Sequence, residues 1–127
     1  MGIYGGDMKK QAFITEEESR KCRKVADAFT EVYENDGTAV LDAGKYGFVK
    51  LQYYTIHSGF DCVTTYTDSK ELFNSLWEDW LYINLLKYME TPETENMGYT
   101  EIIRRLPQEK QAELVEKKEY FLQKCSI

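Results

Sequence analysis

The chain has 127 residues, of which 22 are acidic and 16 basic, so its formal net charge is −6. This length is typical of one domain with a single hydrophobic core, and 43% apolar with 30% charged residues is a globular composition. Non-specific binding to nucleic acid or to anionic membranes depends on clustered Lys and Arg. The acidic balance therefore argues against both, and no apolar run reaches the about 18 residues of a membrane span.

The sequence predicts neither a disulfide framework nor a metal site. Its three cysteines, Cys22, Cys62 and Cys125, are far apart and odd in number, whereas small secreted scaffolds have dense and usually even cysteines. The spacing lacks a CxxC pair, and His57 is the single histidine. Because no signal segment is recognisable, we expect a cytoplasmic protein without cofactor or metal.

The N-terminal segment has no hydrophobic period. It contains three glycines within residues 1–13, so we expect a flexible arm there and a single α+β domain over residues 14–127. Met1 and Met8 both remain possible starts of the native chain.

A first helix is predicted from a capping pattern at its N-terminus and from the helical spacing of its apolar residues. Thr15 and Glu18 match a capping box, in which two side chains satisfy free backbone groups at a helix start. The turn residues Asn35-Asp36-Gly37 end the helix. Its apolar stripe consists of Cys22, Val25, Ala26, Phe29, Val32 and Tyr33.

Three strands are predicted next, over Thr38–Leu41, Phe48–His57 and Phe60–Thr67. Because short loops join them, an antiparallel meander is the simplest topology. In the second strand, alternation places one set on one face (Val49, Leu51 and Tyr53) and another on the opposite face (Phe48, Lys50, Gln52 and Tyr54).

Helices are predicted for the rest of the chain. Asp68 caps the second helix, which is apolar nearly all round from residue 80 to 89, as if covered by other elements or by a second chain. A short helix over 100–106 follows an acidic connector, and Pro107 suits the first turn of the last helix. That helix has a predicted apolar face of Leu114, Val115, Lys118, Phe121 and Leu122.

The predicted fold class is therefore α+β: an N-terminal helix, a three-stranded antiparallel meander, then two to three helices packed on the sheet. The order helix, three strands, helix resembles that of double-stranded-RNA-binding domains. Those domains carry a lysine cluster at the start of their last helix, where this chain has Asp68-Ser69-Lys70-Glu71 with one lysine. The resemblance is limited to topology, and we do not transfer the function.

Aromatic residues are the candidate binding residues, because Tyr and Trp are enriched where proteins contact partners and one sheet face would remain free of helices. The candidates are Tyr53, Tyr54, Phe60, Tyr66, Trp77 and Trp80. Glu78 and Asp79 lie between the two tryptophans, and the helical pattern favours acids facing water over a catalytic pair. We predict no catalytic residue. A Cys62–His57 pair is conceivable, but a polar histidine beside a turn is the more common arrangement.

The sequence favours a non-enzymatic protein-interaction module with an aromatic or apolar surface, which binds a protein partner or a second copy of itself. One alternative is an acidic inhibitor or decoy of a nucleic-acid-binding protein. Another is a small-ligand-binding protein or enzyme with a pocket between the sheet and the second helix.

Overall fold

The computed structural model describes residues 13–30, 37–52, 62–89 and 97–126. Within these ranges a helix precedes a three-stranded antiparallel sheet, and three more α-helices follow, which confirms the predicted α+β fold. The elements are α1 (Glu16–Ala28), β1 (Thr38–Asp42), β2 (Phe48–Gln52), β3 (Cys62–Tyr66), α2 (Ser69–Met89), α3 (Tyr99–Arg104) and α4 (Gln108–Cys125). The first helix ends at Ala28, before the turn residues Asn35-Asp36-Gly37 that the sequence predicts as its end. The predicted arm up to residue 12, Val32 and Tyr33 of the predicted apolar stripe, and the predicted turn at 58–59 lie outside the described residues.

Two helix starts are joined by one carboxylate. Thr15 Oγ1 accepts the Glu18 N–H at 3.1 Å, as the capping pattern predicts. The Glu18 carboxylate accepts hydrogen bonds from Ser69 N–H at 2.8 Å and Ser69 Oγ at 3.0 Å. Asp68 caps the same turn of α2 by accepting N–H groups of the following residues. Glu18 therefore ties the first turns of α1 and α2 together.

The α1 helix packs against both α2 and α4, so it lies at the centre of the helical layer. The Phe29 ring stacks on Phe121 of α4 at 4.3 Å and meets the edge of Phe73 of α2 at 5.3 Å. Burial confirms the described part of the predicted stripe: Cys22, Val25, Ala26 and Phe29.

The sheet has the order β1-β2-β3, and its alternation agrees with the prediction for β2. Phe48 lies opposite Asp42 of β1 and Tyr66 of β3, and its ring is buried on the side of the helices. Lys50 shares that face, since residues two apart along a strand point the same way. Val40 of β1 also packs on the core from this side.

The turn between β1 and β2 requires a glycine. A single 3₁₀ turn, Gly44–Tyr46, leads into Gly47, whose φ of 105° and ψ of −155° lie in a region that only glycine adopts readily. A Cβ atom at Gly47 would lie 2.4 Å from the backbone carbonyl oxygen of Tyr66. The turn therefore passes against the end of β3 at a distance that no other residue permits.

The last two helices differ in detail from the prediction. The apolar side of α4 consists of Leu114, Phe121 and Cys125, with Leu122 partly buried, and Val115 on the predicted apolar face is 64% exposed. The prediction is therefore confirmed for Leu114, Phe121 and Leu122 and wrong for Val115 and Lys118, which are exposed. Neighbouring helical residues point about 100° apart, so Val115 points away from the core that Leu114 enters. The short helix begins at Tyr99, one residue before its predicted start. The last helix begins at Gln108, as predicted, and Pro107 is its N-cap.

The α2 helix is not covered all round by the described chain. Leu81 and Leu85 are buried, but Tyr82 and Ile83 are exposed. The described elements therefore do not enclose α2. That a second chain covers it remains a prediction. Within the described ranges, no helix combines the length and apolarity that crossing a bilayer requires.

Cys22 and Cys125 are fully buried free thiols. Burial raises the pKa of each thiol to about 11, and the charges of Glu18 and Asp68 add to the effect at Cys22. Because the thiolate is the reactive form, both thiols are protected in the folded chain.

Gly47→Ala is expected to lower the free energy of unfolding by at least about 2 kcal/mol, because it combines a strained φ with a clash against a carbonyl oxygen. Chemical denaturation followed by circular dichroism measures this loss.

Gly44→Ala is the matched control, since Gly44 has a φ of 65° but no atom within 4 Å of its would-be Cβ. It should cost only about 1 kcal/mol, the strain of the left-handed region alone. Equal losses for the two variants would contradict the close approach to Tyr66.

In a Cys62→Ser background, Cys22 and Cys125 should resist a thiol-specific disulfide reagent at about pH 8 until the chain is unfolded. In the unfolded chain each thiol has its ordinary pKa of 9.0, whereas in the folded chain the pKa is about 11, so the unfolded state releases its protons first. The thiol contribution to the free energy of unfolding should therefore fall as pH rises from about 9 towards 11. Rapid labelling of the folded protein would contradict the burial.

Candidate functional site

One face of the sheet is aliphatic and points away from the helices. It consists of two rows that cross the three strands, and we call it the outer sheet face: Ala39, Leu51 and Val63 in one row, Leu41, Val49 and Thr65 in the other. Leu41 is 52% exposed and Val63 is 63% exposed. Within the described residues, none of the six belongs to the hydrophobic core or packs against it.

The charged residues of the described strands lie on the helix-facing side of the sheet, beside its core residues. An antiparallel sheet with one solvated face normally carries its polar residues on that face. Here the helix-facing side carries Asp42, Lys50 and Gln52, whereas the outer sheet face has no charged residue. A sheet that is apolar towards solvent is typical of one covered by a further surface.

Lys50 is the centre of a polar network beneath α2. Its side chain is buried, with the whole residue 6% exposed. Its Nζ lies 2.8 Å from Asp79 Oδ2 and donates to Ser75 Oγ at 2.6 Å. The Tyr66 hydroxyl donates to the same Ser75 oxygen at 2.7 Å. The network therefore neutralises the buried charge and joins β2 and β3 to α2.

A serine beside a lysine serves as a nucleophile and base in some hydrolases. Here the Lys50 ammonium is paired with the Asp79 carboxylate, and Ser75 Oγ receives hydrogen bonds from two neighbours. We therefore assign the network a structural role.

The structure places the sequence-predicted binding residues in different environments. Tyr66 faces the helices and is half-buried, so the expectation that it lies exposed on a free sheet face was wrong. The cause is strand register, because Tyr66 pairs with Phe48 on the helix side. Tyr53, Tyr54 and Phe60, together with His57, lie outside the described residues.

The two tryptophans stack at 4.9 Å, with their rings 9° from parallel. Trp77 is buried in the core, whereas Trp80 is half-buried and reaches the surface. Glu78 is exposed as predicted, whereas Asp79 is half-buried and its carboxylate points to Lys50 of the sheet. The sequence did contain a sign of this ion pair: Lys50 shares a strand face with the apolar Phe48. A lysine buried on that face requires a carboxylate partner.

Two surface clefts lie outside the sheet. The Trp80 cleft, of about 460 Å³, runs between α2 and α4 beside Trp80, Asn84, Lys117 and Tyr120. A second cleft, of about 310 Å³, lies where α1, the start of α2 and α4 meet. Neither lies between the sheet and α2, where the small-ligand hypothesis expects a pocket. In the described part of the chain, no group of three or more His, Cys, Asp or Glu side chains is placed to hold a metal ion.

Comparison of the sequence with protein-family models, with curated proteins and with solved structures gave no significant match. The function is therefore argued from the geometry of these surfaces.

Asp79→Ala is expected to lower the free energy of unfolding by about 3 kcal/mol, because it leaves the Lys50 ammonium buried without its counter-charge. Adding Lys50→Met should restore part of that loss, since an apolar side chain needs no counter-charge there. Urea denaturation of the single and double variants measures both effects.

Glu78→Ala is the control for this pair, because Glu78 is exposed on the same turn of α2. Its effect should stay within about 0.5 kcal/mol of zero. An Asp79→Ala variant as stable as Glu78→Ala, or a double variant less stable than Asp79→Ala, would contradict the network.

Proposed function

We propose that this protein is a non-enzymatic interaction module that binds an apolar surface of another protein chain through the outer sheet face. The supporting observation is the pair of uncharged rows, which are exposed at Leu41 and Val63 while the opposite face holds the charged residues. Covering these side chains removes apolar area from water, at roughly 25 cal/mol for each Å². The free thiols of Cys22 and Cys125 support a reducing, cytoplasmic compartment.

The size of the outer sheet face defines its role in an interface. Three strands of five residues cover roughly 17 Å along the strands and 10–15 Å across them. This is about a quarter of the ~800 Å² that each partner buries in a standard interface. The outer sheet face therefore suits the apolar centre of an interface, with polar contacts from its surroundings.

A second copy of the chain is the first occupant to test. Two outer sheet faces are alike in shape and uncharged, so they can pack face to face at about 10 Å, as sheets do in sandwiches. A different protein with an apolar surface would satisfy the same requirement, and the experiment below separates the two.

The acidic-inhibitor alternative has less support. It requires acids gathered in one patch, whereas several described acids pair with neighbouring bases. These ion pairs include Arg23–Asp42, Lys50–Asp79, Arg104–Glu101 and Lys110–Glu113.

The double variant Leu41→Lys/Val63→Lys should abolish association, because binding would bury two unpaired ammonium groups. Sedimentation equilibrium across a concentration series measures self-association. Affinity capture from a nuclease-treated lysate of the native host, with wild type and variant compared, measures association with other chains.

Val115→Lys is the control, because Val115 is 64% exposed and Val63 is 63% exposed, but Val115 lies on α4. It should associate as the wild type does, and circular dichroism verifies that all variants fold. A wild type that binds neither itself nor another chain, or an association that survives Leu41→Lys/Val63→Lys, would reject the proposal.

A further inference from the structure

Three lysines from three different helices converge on the cleft of about 310 Å³. We call it the lysine cleft: Lys21 of α1, Ser69, Lys70 and Phe73 of α2, and Lys118 and Leu122 of α4. The chain as a whole has a net charge of −6, so this concentration of positive charge is local.

Two of the three lysines that line the lysine cleft, Lys70 and Lys118, have no carboxylate partner among the described residues. Among the described residues, no carboxylate lies within 4.0 Å of the ammonium groups of Lys70 or Lys118. Lys21 lies 3.3 Å from Glu17 and 3.8 Å from Glu18. The exposed Lys21–Glu17 pair contributes only a few tenths of a kcal/mol. The Glu18 carboxylate is held in place by Ser69, so it remains beside Lys21 when an anion enters the cleft.

The floor of the lysine cleft is apolar. Phe73 belongs to the core and Leu122 packs against it, and both side chains line the cleft. Ser69 is no free donor, because its N–H and hydroxyl both bind Glu18. The cleft therefore offers two chemistries side by side, an aromatic and aliphatic floor and a rim of ammonium groups.

We propose that the lysine cleft binds an amphipathic carboxylate, with an unbranched aliphatic chain on Phe73 and Leu122 and its carboxylate between the ammonium groups of Lys70 and Lys118. The volume lies at the lower end of the about 300–1,000 Å³ of small-molecule sites, which fits a single chain better than a folded partner. Inorganic phosphate would contact only the ammonium groups of the rim, and an uncharged alcohol would contact only the apolar floor.

This site is separate from the outer sheet face, since the two share no residue. The proposed function can therefore fail while this inference holds, and the reverse is also possible. Each is tested with its own variants.

The experiment is a titration of the ¹⁵N-labelled protein with decanoate, followed by amide chemical shifts. Saturable shifts are expected around residues 69–74 of α2 and 118–122 of α4. Lys70→Glu/Lys118→Glu should weaken decanoate binding about ten-fold or more, the loss of charge-assisted contacts. This variant is expected to fold, because both positions are exposed and an acid at residue 70 lies in the first turn of α2, where the helix dipole favours it.

Lys110→Glu/Lys117→Glu is the control with the same change in net charge, made in the Trp80 cleft. It should leave decanoate affinity unchanged, and thermal unfolding verifies that both double variants are folded. Decanol and inorganic phosphate should each bind more weakly than decanoate. Absence of saturable shifts, equal binding of decanol, or equal affinity in the two double variants would overturn the proposal.

Discussion

Burial of the Phe48 ring beneath the helices determines which face of the sheet meets the helices and which face points outwards. Side chains alternate along a strand, so the buried Phe48 brings Lys50 to the helix side and turns Val49 and Leu51 outwards. A one-residue shift of register would bury the aliphatic residues instead and expose the lysine. The observed register therefore buries the charge of Lys50 and exposes an apolar face. The polar network around Lys50 and the outer sheet face both follow from this register.

The α2 helix has a polar side, which meets Lys50 of the sheet, and an aromatic side, which meets α4. Ser75 and Asp79 are four residues apart, so they share one side of the helix and together meet Lys50. Trp77 and Trp80 lie on another side, where their rings meet Phe121 of α4. The polar side therefore faces the sheet and the aromatic side faces the other helices, which explains how one long helix can contact both layers.

Local hydrogen bonds made the helix starts predictable, since Thr15 and Asp68 bind N–H groups within three residues. Alternation along β2 was also predictable, because successive side chains of any strand point to opposite faces. Which face meets the helices was not, because that depends on partners far along the chain, such as Asp79 for Lys50. The errors at Tyr66 and Val115 have this same origin. Periodicity groups side chains on a face, but only tertiary packing decides what covers the face.

An exposed aliphatic sheet face with edge strands is a liability, because it invites non-specific association. Two features of the chain oppose this. A net charge of −6 keeps copies apart in solution, and Asp42 places an inward-pointing charge, paired with Arg23, at the end of edge strand β1. Long-range repulsion together with a short-range apolar surface favours a partner that matches the face closely and carries a positive net charge. A basic protein with an apolar surface would meet both conditions. A second copy meets the requirement of shape, but its apolar contact must also outweigh the repulsion between two chains of net charge −6.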